Sequence, residues 1–226
     1  MKTVVLNGSP KGMTSVTMQY VRFLQKKFPQ HAFTIFNVCQ DVKKLEGDQT
    51  VWREVIEAVE AGDVVLWATP VYVFLVPGPY KRFIELVIQR GNQAAFKGKY
   101  AAILTTSVRF FDHMAHAYLH GISEDFGMQV AGVYSAEMYD LVKEEEQRRI
   151  VQFWHNVVKA AEEKVAIQRR FDPLHTSPLR YSPGPSPNKV QTNGRNIVIV
   201  TDGRRAAISR AWSPRFVNAS PTPWRS

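Results

Sequence analysis

Thr3–Thr17 reads TVVLNGSPKGMTSVT: a short apolar run, an abrupt stop, and the opening of an amphipathic pattern. Val4, Val5 and Leu6 form the kind of continuous apolar run that makes a buried parallel strand, and Asn7-Gly8-Ser9-Pro10 ends it with turn formers. From Met13 to Phe28, the apolar residues Val16, Tyr20, Val21, Leu24 and Phe28 share one face of a 3.6-residue period, which predicts a helix. Lys11, Thr14, Ser15 and Thr17 surround its start. Unpaired N–H groups and the positive end of the helix dipole favour an anion there, so strand, loop and helix together predict a phosphate site.

The glycines decide which phosphate. A nucleoside-triphosphate loop needs G-x-x-x-x-G-K-[ST], but Met13 stands five residues after Gly8 and no Lys-Ser or Lys-Thr pair follows. A dinucleotide fingerprint needs three glycines, and this turn holds only Gly8 and Gly12. What remains is a hydroxyl-rich loop with one cation, suited to a terminal phosphate monoester such as that of FMN.

The chain has 226 residues and a formal charge of +9. Residues 1–168 carry a net charge of +1 and residues 169–226 a net +8, so the basicity belongs to the tail. A folded nucleic-acid binder carries its positive stripe on the domain itself, which argues against a nucleic-acid partner. Cys39 is the only cysteine, excluding an internal disulfide and any four-cysteine cluster or zinc site supplied by one chain. The sequence enters a strand directly, and Pro70 interrupts the apolar stretch Val64–Val76 short of a membrane span. A cytoplasmic protein with no membrane partner is expected.

Further strands are expected at Ala32–Val38, Asp63–Thr69, Lys99–Thr106 and Gln129–Tyr134. Helices are expected at Thr50–Ala61, Tyr80–Arg90, Asp112–Phe126 and Lys143 to about Arg170, with Asp112 as an N-cap and Asp41–Asp48 as a polar connection. The loop Pro70–Pro79 is apolar yet stiffened by Pro70, Pro77 and Pro79, which suits a loop lying against a flat apolar partner. Five strands alternating with five helices predict an α/β fold, a parallel sheet covered on both faces, with ligands at the carboxyl ends of its strands.

Beyond residue 170 the composition changes. Residues 171–194 are expected to be a Pro-rich linker after a domain at 1–170. Arg195–Arg205 (RNIVIVTDGRR) echoes Lys2–Gly12, but no amphipathic helix follows, so 195–226 is expected to be a basic, poorly ordered remnant of a second unit.

Three segments, LNGSPKGMTSVT (6–17), ATPVYVFLVPGPYKRFIELV (68–87) and TTSVRFFDHMAHAYLHGISEDFGM (105–128), resemble the flavodoxin-like NAD(P)H-dependent FMN reductase family. The resemblance implies a flavodoxin-like three-layer sandwich with strand order 2-1-3-4-5, FMN as cofactor and NAD(P)H as co-substrate. It implies cofactor contacts from Ser9, Lys11, Ser15, Val16 and Thr17 at the phosphate, Pro70, Val71, Tyr72, Val73 and Phe74 around the ribityl chain and rings, and Thr106 and Ser107 closing the site. It also implies a homodimer or homotetramer. The cysteine cluster of related iron–sulfur flavoproteins is missing, so no metal is expected, and the near-neutral domain differs from acidic electron-carrier flavodoxins.

The expected activity is hydride transfer from NAD(P)H to FMN and on to a small acceptor: a quinone, a nitro or azo compound, a metal ion or free flavin. An FMN-binding electron-transfer protein without efficient NAD(P)H turnover is the alternative. No side chain is required for the chemistry; Asp112 and His113 are the candidates for a catalytic role. His113, His116, His120 and Glu124 share helical spacing, which fits a structural or interface stripe better than a metal site.

Overall fold

Five strands form one parallel sheet: β1 (Lys2–Asn7), β2 (Ala32–Phe36), β3 (Val64–Pro70), β4 (Tyr100–Thr106) and β5 (Gln129–Ala136), in the order β2-β1-β3-β4-β5. The computed structural model describes residues 1–109 and 111–174, and Met1–Leu174 forms one unit. The register places Val4 beside Val65, and Leu6 beside Trp67. Six helices connect and follow the strands: α1 (Val16–Lys27), α2 (Val42–Gly47), α3 (Gln49–Ala61), α4 (Gly78–Gln89), α5 (Asp112–Asp125) and α6 (Glu144–Glu162).

Side chains alternate across the strands, and that alternation divides the core in two. Val4, Leu6, Val65, Trp67, Ala101 and Ile103 pack with α3, α4 and α5, while Val5, Val64, Leu66, Ala68, Ala102 and Leu104 pack with α1 and α6. The layers are therefore helix, sheet, helix. Trp67 is fully buried, stacked on Phe96 at 6.0 Å and edge-on to Tyr80. Burying each large apolar side chain contributes roughly 1.5–3 kcal/mol, so these two seams dominate stability. Among the described residues no helix is long and apolar enough to cross a membrane.

Several boundaries differ from expectation for identifiable reasons. The first helix begins as a 3-10 turn at Gly12–Thr14, and α1 proper starts after Ser15, whose hydroxyl accepts from the Met18 N–H. Asp41–Asp48 contains α2, a helix with one buried side chain, Leu45. Arg90, from the distant end of α4, donates to the Leu45 and Glu46 carbonyls and completes it. The final helix stops at Glu162 rather than near Arg170: Lys164 turns at φ 51°, and residues 165–170 continue without helix. Asp112 is not the N-cap of α5; Phe111 holds that position with φ 56°, and the Asp112 carboxylate turns to Ser107 and Ser135.

The chain past residue 162 docks on α5. Glu124, almost buried, accepts the N–H groups of Arg170 at 2.6 Å and Phe171 at 3.0 Å, and Phe171 meets His120 edge-on. This strap runs through Leu174, past the expected domain limit at 170. Most of the Pro-rich segment 171–194, from residue 175 on, and all of the expected remnant 195–226 lie outside the described residues.

Candidate functional site

The site begins where β1 ends. Asn7 is fully buried, its Oδ1 accepting the Ser9 N–H at 3.0 Å while its amide donates to Asn37. Gly8 donates to the Ala68 carbonyl at 2.7 Å, and a Cβ there would lie 2.6 Å from Thr69 Oγ1, so only glycine brings the loop this close to β3. Gly12, at φ +54°, closes the turn by donating to the Ser9 carbonyl.

This turn presents donors to one point. Ser9 Oγ accepts the Lys11 N–H and Ser15 Oγ accepts the Met18 N–H, so each hydroxyl proton remains to be donated outward. Val16 and Thr17 open α1, where N–H groups have no carbonyl one turn back. Thr14, by contrast, turns its hydroxyl onto the Lys11 carbonyl at 2.9 Å.

The second wall follows β3. Val71 donates to the Thr106 carbonyl, and Tyr72 and Leu75 exchange backbone bonds at 2.8 and 3.2 Å across a two-residue turn. Its central residues, Val73 at φ 45° and Phe74 at φ 74°, adopt a conformation ordinarily given to Asn and Gly. A β-branched residue at positive φ is strained, and such strain gathers at ligand sites. The third wall follows β4: Thr106 shares a hydrogen bond with Thr17 at 2.6 Å, tying it to α1, and Ser107 bonds Asp112.

Together these segments line one cavity of about 700 Å³ at the carboxyl ends of β1, β3 and β4. All twelve residues expected at a cofactor line it: Ser9, Lys11, Ser15, Val16, Thr17, Pro70, Val71, Tyr72, Val73, Phe74, Thr106 and Ser107. Four more, Val108, Glu137, Met138 and Tyr139, were not anticipated. Met138 and Tyr139 follow β5 in a polar-looking stretch, EMYDLVKEEE (137–146), with no periodic signal.

Buried acids hold that fourth wall. Asp140 has no exposed surface and accepts from the Glu137 N–H at 2.9 Å, from Lys143 at 3.0 Å and from Arg109. Burial alone would raise its carboxyl, but these donors and cations hold it below the usual range. Tyr20 of α1 donates to the Glu137 carbonyl; burial and the Asp140 charge push its phenol up to about 12, so it stays a donor. Arg109 also faces Glu137 and Glu146, leaving Lys11 and Glu137 as the charged residues of the lining.

Asp112 and His113 lie beside this cavity and not in its lining. Asp112 is buried, whereas His113 is exposed against Phe111 at 5.5 Å. The histidine stripe is divided: His116 bonds Thr105 at 2.7 Å and His120 bonds Glu124 at 3.1 Å. Cys39 is buried, which pushes its thiol up to about 11.

The fold is shared with solved flavoproteins. An NADH:FMN oxidoreductase (EMOB) in its apo form matches with a TM-score of 0.59 at 20% identity, over 70% of this chain and 89% of that one. FerB, a flavoenzyme NAD(P)H:(acceptor) oxidoreductase from Paracoccus denitrificans, matches with a TM-score of 0.51 at 21% identity, over 70% and 97%. An NADPH-quinone reductase from P. pentosaceus matches with a TM-score of 0.51 at 12% identity, over 74% and 100%. No curated protein sequence matches the chain. The profile of the NADPH-dependent FMN reductases, NAD(P)H-dependent oxidoreductases that use FMN, matches residues 1–139, more than half of the sequence, and the chain belongs to that family.

Proposed function

We propose that the cavity holds FMN for NAD(P)H-dependent reduction of a small acceptor: a quinone, a nitro or azo compound, a metal ion or free flavin. The observation that supports this is convergence. Three segments, 9–17, 70–74 and 106–107, meet in one cavity where the strand order reverses between β1 and β3.

The residues fit the group. Ser9 and Ser15 hydroxyls, the first N–H groups of α1 and the Lys11 ammonium suit a phosphate monoester. The Pro70–Phe74 wall and Met138–Tyr139 supply apolar surface for a flat ring system. When bound, FMN supplies the hydride-accepting and electron-passing chemistry; the chain binds it, orients it and excludes water. Asp140 and Arg109 keep the Val108 and Met138–Tyr139 walls in place.

Exposed Tyr72, Val73, Val108, Phe111, Met138 and Tyr139 make an apolar rim around the cavity. We place a second copy of the chain over it, as a homodimer or as part of a homotetramer, because so contiguous a patch is costly in water. A purely monomeric protein by sedimentation equilibrium would remove that assignment. With one buried cysteine and a nicotinamide co-substrate, the protein is assigned to the cytoplasm, with no nucleic-acid partner.

Titration of the purified protein with FMN tests the site. Hydrogen bonds to charged groups are worth about 1.5–3 kcal/mol, so Ser9→Ala weakens FMN roughly 10- to 150-fold. An unchanged dissociation constant removes Ser9 from the phosphate. Steady-state oxidation of NADH and NADPH with a quinone acceptor separates a reductase from a carrier, which binds FMN but turns over slowly.

A further inference from the structure

Asp112 stands next to the cavity, and the functional reading above leaves it without a task. The residue is 7% exposed. The Ser107 hydroxyl lies 2.7 Å from both of its oxygens, and the Ser135 hydroxyl donates to Oδ2. A carboxylate accepts and cannot donate, so both serine protons are drawn inward to Asp112. One lone pair of Ser107 Oγ then accepts the Arg109 N–H at 2.6 Å, and the Ser107 N–H is spent on the Ala136 carbonyl at 2.9 Å.

Ser107 lines the cavity, and its hydroxyl has one capacity left, a single acceptor lone pair. Ser9 and Ser15, also in the lining, have the reverse polarity: they accept from the backbone and keep their protons to give. The lining therefore combines donors at the start of α1 with an acceptor after β4.

We propose that Asp112 is a positioning residue that holds Ser107 as an acceptor, so that this wall of the cavity selects a ligand edge carrying an N–H. The proposal rests on the FMN assignment. Oxidised isoalloxazine has one ring N–H, at N3, flanked by two carbonyls, and it is the ring group that Ser107 accepts. An amide at position 112 donates as well as accepts, which releases the Ser107 proton outward and removes the selection.

The experiment titrates the wild-type protein, Asp112→Asn and Ser107→Ala with FMN and with 3-methyl-FMN, which lacks that N–H. A net hydrogen bond is worth about 0.5–1.5 kcal/mol, so the wild type prefers FMN by about two- to twelvefold, and both variants bring the ratio close to one. A wild-type ratio of one, or the same preference in both variants, overturns the proposal. Steric exclusion of the methyl group gives that second outcome, because it survives loss of the hydrogen bond. A wild-type protein that binds neither flavin overturns the FMN assignment itself. Should Asp112→Asn not fold, Asp112→Ala, which likewise frees the Ser107 proton, takes its place with the same outcomes.

Discussion

His116 shows how one residue of a helical stripe acquires a role from its neighbours. Its ring bonds Thr105 on β4 at 2.7 Å, and burial lowers its pKa from 6.5, against the raising effect of Asp112 and with the lowering effect of His113. The folded protein thus resists protonation, and the unfolded chain takes up the proton first as pH falls. The stabilisation from a neutral His116 is complete above 6.5 and is lost as pH falls through the depressed folded-state value. Thermal midpoints are expected to fall as pH drops below about 6.5, and less steeply in His116→Gln. Equal slopes in the two proteins would show that His116 is not the group responsible. Residue type and spacing alone placed His113, His116, His120 and Glu124 on related helical faces, but the partner of His116 comes from β4 and further partners of His120 and Glu124 from the chain after α6, which no local pattern reveals.

At the scale of elements, the turn Tyr72–Leu75 is the least expected feature. The sequence PVYVFLVPGP announced an apolar loop, and its prolines announced stiffness, yet nothing in it announced a two-residue turn built on Val73 and Phe74 at positive φ. Asn at the first of these positions relieves the strain. Val73→Asn is expected to stabilise the ligand-free protein by about 1 kcal/mol, raising the melting temperature by about 2–4 °C, while weakening FMN through loss of apolar surface. A melting temperature that does not rise would mean that Val73 carries no strain. The same limit explains α2. A six-residue helix with one buried side chain has too few positions to display a period, and Arg90, forty-five residues away from Leu45, supplies its last acceptors with a donor. Elements whose stability is local were legible; elements stabilised by a remote side chain were not.

For the whole molecule, the strap after α6 closes the unit Met1–Leu174. A chain ending at Leu174 is expected to match the full-length protein in melting temperature and FMN affinity, which would make residues 175–226 dispensable for the site. A chain ending at Lys164 leaves the Glu124 carboxylate buried without the Arg170 and Phe171 donors. Such a loss costs about 1–3 kcal/mol, or several degrees. Loss of stability in the chain ending at Leu174, or none in the chain ending at Lys164, would move the boundary. By itself the sequence determined the alternation of strands and helices, the apolar seams of the two core layers and the hydroxyl-rich turn after the first strand. These depend on period and residue type within a few turns of chain. Tertiary structure alone decided the fourth wall, Val108 with Glu137–Tyr139, and the inward turn of Asp112. The first is held by Arg109 bonding to Asp140 across thirty-one residues, and the second by a hydroxyl from β5, twenty-three residues on. Hydrogen bonds between buried groups are specified by where the sheet brings their strands together, and that meeting is a property of the closed fold rather than of any segment.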